Sequence, residues 1–128
     1  KFLKKIIMDL KKNKIRVSLF IEPKISDVKL SHYIGAHCVE LHTGSFCNLL
    51  NKGKKVNKDF IKLREASICA KKIGLEVHAG HGLTYKSAHK ISKIKDISEF
   101  NIGHFLIAES LFIGLNKTIK KFKKIINI

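Results

Sequence analysis

The sequence has 128 residues, a length that suits one ordinary domain, and 45% of them are hydrophobic, enough to fill a core. It carries 26 Lys and Arg against 10 Asp and Glu, and this net charge of +16 is typical of proteins that bind nucleic acids or anionic membranes. However, only Arg16 and Arg64 are arginines, the residue that supplies most bidentate phosphate and base recognition. The lysines are scattered along every predicted helix, and no apolar run approaches the roughly 20 residues that a membrane span needs. The composition therefore predicts a solvated basic surface, with neither nucleic acid nor membrane as partner.

The cysteines bear on the cellular compartment of the protein, and the first residue bears on whether the chain is a fragment. Cys38, Cys47 and Cys69 form no C-x-x-C pair, and an odd number of cysteines without a secretory signal indicates reduced thiols and a cytoplasmic location. The chain begins with Lys1 and opens inside a predicted helix. We therefore expect a fragment, or a chain that lacks its start.

Strands and helices are predicted to alternate along the chain. Apolar residues at helical spacing predict a helix from Phe2 to Leu10, after which four β-rich runs alternate with helical patterns. The predicted strands comprise residues 16–21, 38–43, 75–79 and 98–102. The helices that follow them are predicted to end near residues 34, 73, 94, 114 and 126. The predicted helix caps and stops are Ser26 with Asp27, Asn57 and Asn116 at N-termini, and Gly35 and Gly74 at C-termini. Residues 45–55 are predicted to form a long loop.

This alternation indicates parallel strands joined by helical crossovers, in one of two α/β architectures. One is a small doubly wound open sheet. The other is part of a (β/α)₈ TIM barrel, whose usual length is about 250 residues. Strands of an open sheet that are buried on both faces should be almost wholly apolar. Here Glu40 and His42 share one face of the second strand, and Glu76 and His78 share one face of the third. Asn101 interrupts the fourth strand. A polar barrel interior explains these residues, so the pattern favours the barrel, with its helices on one side of the sheet only.

Four motifs at the strand ends carry a family resemblance. They are VSLFIEP at 17–23, GAHCVELHTGSF at 35–46, GLEVHAGHGLTY at 74–85 and EFNIGHFLIAES at 99–110. In this order they resemble the pyridoxine 5′-phosphate synthase family of vitamin B6 biosynthesis. The match is to strands five to eight of that family's barrel. The resemblance thus implies that residues 1–128 are the C-terminal half of a single TIM-barrel domain, with the N-terminal half absent from this chain.

The resemblance also implies a reaction. In this family 3-amino-2-oxopropyl phosphate condenses with 1-deoxy-D-xylulose 5-phosphate to give pyridoxine 5′-phosphate, phosphate and water, without metal or organic cofactor. The implied partners are these small phosphorylated substrates and, for the complete enzyme, further copies of itself in a homo-oligomer. The family's other catalytic bases lie on earlier strands, so the isolated fragment is expected to be inactive.

Matching the family motifs assigns five site residues. His81, held between two glycines, matches the proton donor, a task that suits imidazole because its pKa lies near working pH. Glu40 matches the glutamate that stabilises cationic intermediates. Gly82, Gly103 and His104 match the phosphate contacts, in the loops where TIM barrels commonly bind phosphate. His42, on the same strand face as Glu40, is expected to support this site without contacting the substrate, and Thr43, Gly44 and Gly80 are expected to shape its turns.

Three departures from the family pattern stand out. Glu22-Pro23-Lys24 replaces the usual Asp-Pro-Asp, Phe46-Cys47 replaces Tyr-Ala, and His78 replaces Asn. The last change puts the local polarity in question, because imidazole is bulkier than an amide and can carry a charge.

Two other functions remain open at this point. A metal hydrolase could use Glu40, His42, His78 and His81 as ligands, since imidazole and carboxylate on adjacent strands can bind zinc. The chain could instead be a non-catalytic, decayed half-barrel or a basic RNA-binding fragment, although it has few of the aromatic and arginine side chains on which RNA bases stack.

Overall fold

The computed structural model of the chain describes residues 2–126, in which strands and helices alternate. The strands are β1 (Ser18–Ile21), β2 (Cys38–His42), β3 (Glu76–Gly80) and β4 (Glu99–Asn101). The helices are α1 (Phe2–Lys12), α2 (Ile25–Tyr33), α3 (Gly44–Asn51), α4 (Asn57–Lys72), α5 (Tyr85–Ile91), α6 (His104–Ile113) and α7 (Leu115–Ile126). None of these described helices has both the length and the apolar character needed to cross a membrane.

The four strands form one parallel sheet in the order β1-β2-β3-β4, as predicted. Consecutive parallel strands are joined by right-handed crossovers, so a sheet whose order never reverses carries its connecting helices on one face. A doubly wound sheet would reverse its strand order at a switch point, and the described strands contain no such reversal. The α/β class and the parallel neighbours are therefore confirmed, while closure into an eight-stranded barrel stays a prediction.

The two faces of the sheet differ in chemistry. Leu41 and Val77 belong to an apolar face that packs against the buried residues of the helices, including Leu63 of α4. Fully burying such a side chain stabilises the fold by about 1.5–3 kcal/mol. The opposite face carries the polar side chains of Glu40, His78, His42 and Asn101. Strand register places Phe20, Glu40 and His78 in one row, and His42, Gly80 and Asn101 in the next. The predicted sharing of one face by these polar residues is confirmed.

Residues 45–55 were expected to be a loop, and this expectation is wrong for the first part of the segment. Helix α3 occupies Gly44–Asn51. Phe46, Cys47 and Leu50 of this helix are buried in the hydrophobic core. These core contacts stabilise a helix that the polar residues of the segment did not predict.

The predicted N-caps are also wrong, because α4 begins at its predicted cap, Asn57, and α2 and α7 begin before theirs. The backbone N–H of Asp27 bonds to Lys24 O, that of Phe60 to Val56 O, and that of Thr118 to Gly114 O. Ser26, Asp27, Asn57 and Asn116 therefore lie inside their helices rather than before them. The predicted stops are confirmed: Gly35 and Gly74 take φ values of +97° and +88°, which favour glycine at the end of a helix.

Candidate functional site

The loop after β3 has an unusual backbone. His81 has φ +79° and Gly82 has φ +76°, so the chain turns through two consecutive left-handed residues. A non-glycine residue in this region is uncommon, and such backbone strain tends to collect at functional sites. The buried Thr43 hydroxyl lies 2.8 Å from Gly80 O and 2.6 Å from His81 O, and the Thr43 N–H also donates to Gly80 O at 2.9 Å. The end of β2 therefore holds the His81 turn in place.

Three aromatic rings gather above the carboxyl ends of β1 to β3. The His42 and His81 rings lie 4.8 Å apart between centroids in an edge-to-face arrangement. The Phe20 ring contacts both, at 5.1 Å from His42 and 6.3 Å from His81. His42 Nδ1 lies 2.7 Å from Glu22 Oε1, on the loop after β1. The shared strand face predicted that His42 lies near the site, but no sequence pattern predicted its bond to Glu22.

The Glu40 carboxylate is fixed by a residue from a distant strand. Asn101 Nδ2 donates a 2.8 Å hydrogen bond to Glu40 Oε2. The carboxylate also lies directly over Gly80, where an added Cβ would overlap Glu40 Oε1. Sequence reasoning gave Gly80 a role in the turn, and that is wrong. Its backbone is not left-handed, and its function is to leave room for Glu40.

A cavity of about 600 Å³ joins the loops after β3 and β4. Its walls include four of the five predicted site residues: His81, Gly82, Gly103 and His104. The fifth, Glu40, is absent from this lining, but its partner Asn101 is part of it. Asn101 is thus part of the candidate site, although the sequence analysis used it only as evidence for a polar sheet face. An amide within a predicted strand was the signal that could have identified it.

The two helices that begin beside this cavity differ in how their N-termini are satisfied. Thr84 and Ser87 form a capping box at the start of α5, so those backbone N–H groups already have partners. The start of α6 has Gly103 as its N-cap and no side-chain cap. Its first N–H groups have no intrahelical acceptor, so the positive end of α6 faces the cavity that Gly103 and His104 line.

A second polar cluster lies at the amino ends of β3 and β4. The buried His78 ring lies between two carboxylates, with Nε2 3.0 Å from Glu76 Oε1 and Nδ1 3.3 Å from Glu99 Oε1. Glu76 also pairs with Arg16. Hydrogen bonding to Arg16, followed by hydrogen bonding to His78, lowers the pKa of Glu76 to about 2. The imidazole that replaces the family's usual Asn is therefore held by two acidic neighbours.

The geometry does not gather the ligand set of the metal-hydrolase hypothesis. Among residues 2–126, the group with spacing suited to a metal ion is Glu76, His78 and Glu99, which includes only one of the four residues named for that hypothesis. In this group the two His78 nitrogens already face different carboxylates. A metal ion would have to displace one of these contacts and compete with Arg16 for Glu76.

The two residues of the Phe46-Cys47 departure are both buried in the core. The Phe46 ring centroid lies 6.3 Å from that of Phe60. Cys47 packs against the loop after β3 so closely that a Cβ added at Gly82 would lie 3.3 Å from Cys47 Cβ. Burial raises the pKa of the Cys47 thiol, although hydrogen bonds to Ser87 and Thr43 oppose the shift. The thiol therefore stays protonated near neutral pH and supports the Gly82 loop by contact rather than by chemistry.

Comparisons with known proteins agree on one family. The family model described as pyridoxal phosphate biosynthesis protein PdxJ matches residues 1–128. Three curated relatives, all named pyridoxine 5′-phosphate synthase, are similar along nearly the whole chain. The one from Pelagibacter ubique is 50% identical over 127 residues, covering 99% of this chain and 53% of the relative. The one from Sulfurihydrogenibium sp. is 45% identical, covering 98% and 51%, and the one from Zymomonas mobilis is 43% identical, covering 94% and 46%. The chain spans about half the length of the curated relatives it matches.

Proposed function

This chain belongs to the pyridoxal phosphate biosynthesis protein PdxJ family, and on that premise we propose that it forms half of a TIM barrel that makes pyridoxine 5′-phosphate. The four parallel strands in sequential order, apolar on the helix side and polar on the other, are what half of such a barrel requires. In this proposal residues 1–128 supply strands five to eight of one domain. The other half, and the catalytic bases it carries in the family, come from residues beyond this sequence.

The proposed reaction is the condensation of 3-amino-2-oxopropyl phosphate with 1-deoxy-D-xylulose 5-phosphate, giving pyridoxine 5′-phosphate, phosphate and water. The supporting observation is the cavity of about 600 Å³ in which the loop after β3 meets the loop after β4. These are the loops that bind phosphate in many TIM barrels. The proposal includes a homo-oligomeric complete enzyme and a cytoplasmic location, the latter supported by three free cysteines.

The phosphate group is assigned to Gly82, Gly103 and His104. The uncapped N-terminus of α6 offers backbone N–H donors and a partial positive charge, which together favour an anion. His104 is exposed at the first position of α6 and adds a side-chain donor. Gly103 is exposed, with open space where a side chain would extend, so a phosphate can approach the backbone closely.

His81 and Glu40 are assigned the chemical steps. His81 lines the cavity on a strained and firmly held turn, a geometry suited to delivering a proton to one position of the substrate. Glu40 is oriented by Asn101, so its carboxylate is in place before any iminium-like cation forms and does not have to reorganise.

The test is to produce residues 1–128 together with the N-terminal half of the Pelagibacter ubique relative and to measure pyridoxine 5′-phosphate formation. We expect activity from the pair and none from either half. His81→Asn should then lower kcat by about 10²–10⁴-fold with a small change in KM, because a proton donor acts mainly in the transition state. His89→Asn, on the exposed side of α5, is the matched control and should leave kcat unchanged. An effect of His81→Asn on KM alone would reassign His81 to substrate positioning.

A further inference from the structure

We propose that Glu22 and His42 form a carboxylate–imidazole pair that positions the His81 ring for proton donation. This inference rests on the proposed function, and it assigns roles to two residues that the family resemblance left without one. His42 and Glu22 act through His81, so they are positioning residues rather than catalytic ones.

The first step of the argument is the contact between Glu22 and His42. Glu22 Oε1 and His42 Nδ1 lie 2.7 Å apart, so the imidazole Nδ1–H donates to the carboxylate. A neutral imidazole that donates from Nδ1 has its Nε2 unprotonated, and the partner carboxylate thereby fixes both the tautomer and the ring orientation. The His42 side chain is 27% exposed and that of Glu22 is 51% exposed. The bond therefore links a surface loop to a ring that is largely enclosed.

The second step is the direction in which the free edge of His42 points. A Cβ built on Gly44 would lie 2.6 Å from His42 Nε2 and 2.9 Å from His81 Cδ2. Both rings therefore lie against the same glycine, and His42 presents Nε2 on the side of His81. Gly44 is needed here because any side chain would separate the two rings.

The third step is that His81 has few other restraints on its ring. Its backbone carbonyl is held by Thr43, but its ring, besides lying against Gly44, has aromatic contacts with His42 and Phe20. Aromatic contacts of this kind contribute only about 0.5–1.5 kcal/mol each. Phe20 is itself more than half exposed, so the ring orientation of His81 depends mainly on His42 being fixed, and His42 is fixed by Glu22.

The cavities make this dependence measurable. His42 and Glu22 line a cavity of about 450 Å³ beside α4, whereas His81 lines the cavity of about 600 Å³ that is assigned to the substrate. Glu22 is therefore outside the proposed substrate cavity. A substitution at Glu22 should change the orientation of the proton donor without removing a substrate contact, so it should lower kcat and leave KM nearly unchanged.

The test compares Glu22→Ala with Glu22→Asp, which retains a carboxylate, and with Glu65→Ala. Glu65 lines the same cavity as Glu22, so Glu65→Ala removes a similar charge there while leaving the His42 bond intact. Kinetics are measured on the pair formed with the N-terminal half of the relative. We expect kcat to fall by about tenfold or more in Glu22→Ala, with KM changed less than about twofold, and to recover in Glu22→Asp. A Glu22→Asp variant as slow as Glu22→Ala, or a Glu65→Ala variant equally impaired, would overturn the proposal.

A second readout does not require activity. In low-salt buffer, ¹⁵N NMR of the histidine rings of the 128-residue chain reports which nitrogen of His42 is protonated. We expect the Nδ1–H form in the original chain and in Glu22→Asp. In Glu22→Ala we expect a shift toward Nε2–H, together with moved His81 ring signals. An unchanged tautomer or unchanged His81 signals in Glu22→Ala would refute the positioning role. Should the paired halves lack synthase activity, the proposed function fails by itself, and the NMR result still decides whether Glu22 positions the two rings.

Discussion

Asn101 on β4 donates a hydrogen bond to Glu40 on β2 across the intervening strand β3, and the 2.8 Å bond passes over Gly80. Gly80 is in register with Asn101, so its missing side chain is what allows residues from two non-adjacent strands to meet. This contact places a carboxylate, an amide and the start of the His81 turn within one small region at the carboxyl end of the sheet.

Gly80→Ala should therefore displace the Glu40 carboxylate. A Cβ would overlap Glu40 Oε1 and lie 3.1 Å from Asn101 Cβ, and such overpacking typically costs about 1–3 kcal/mol. Activity of the paired halves should fall by about 10²-fold, because a fixed charge at the reacting centre is lost. In a double-mutant cycle Asn101→Ala and Gly80→Ala should be less than additive, since both release Glu40. Gly53→Ala is the control: φ is +69° and nothing lies within 4 Å, so it should reduce stability and leave activity unchanged. A fully active Gly80→Ala enzyme would contradict the role given to this contact.

Thr43→Val should loosen the His81 turn and lower the free energy of unfolding. Thr43 is fully buried, and its hydroxyl serves the carbonyls of Gly80 and His81. Thr43→Val takes this donor away from His81 O, whereas Gly80 O keeps its bond from the Thr43 N–H, and losing the donor to a partly buried acceptor costs about 1–3 kcal/mol. Thr43→Ser keeps the hydroxyl and should lose clearly less. Urea denaturation of the three chains measures the difference, and equal losses for Val and Ser would mean that packing of the methyl group, not the hydrogen bond, is what matters.

Stability should fall in acid through Glu76. Its pKa is about 2 in the folded chain against an ordinary value of 4.5, because Arg16 and then His78 hydrogen-bond to the carboxylate. The unfolded chain therefore binds the proton more readily, and the stabilisation is complete above about pH 4.5 and is lost as pH falls toward 2. Glu76→Gln should flatten this part of a profile of urea midpoint against pH. Glu65→Gln should not, because Glu65 forms no ion pair among residues 2–126. An acid profile that is the same in Glu76→Gln and the original chain would show that the Arg16 pair contributes little.

The 128-residue chain alone should associate as salt rises. β1 and β4 are the outer strands of the described sheet, and each has one side without a strand partner, which can pair with other chains. Apolar side chains are also exposed on α6, where Leu111 and Phe112 are 82% and 85% exposed. The net charge of +16 keeps molecules apart at low ionic strength, and screening shortens that repulsion to about 8 Å at physiological salt.

Sedimentation velocity across a salt series, with and without the N-terminal half of the relative, measures this association. Adding the missing half should restore a discrete particle and activity together. A monodisperse chain that is active by itself would contradict both the half-barrel proposal and the assignment of catalytic bases to the absent half.

The sequence by itself determined the strands, most of the helices and the chemistry of each sheet face. Alternating strands and helices predicted the parallel sheet, and the two-residue period of a strand placed Glu40 with His42, and Glu76 with His78, on one face. These are local properties, because side-chain direction along a strand follows from the backbone alone. The family motifs also named residues of the loops after β3 and β4, which the structure brings together around one cavity.

Only the tertiary structure decided which side chains meet. Glu22 reaches His42 across 20 residues, Asn101 reaches Glu40 across 61, and Gly80 matters because Glu40 occupies the space above it. The short helix α3 likewise depends on core contacts of Phe46 and Leu50 rather than on its own sequence signal. Each of these features is set by strand register and by packing between segments far apart in the chain, and neither residue periodicity nor local propensity carries that information.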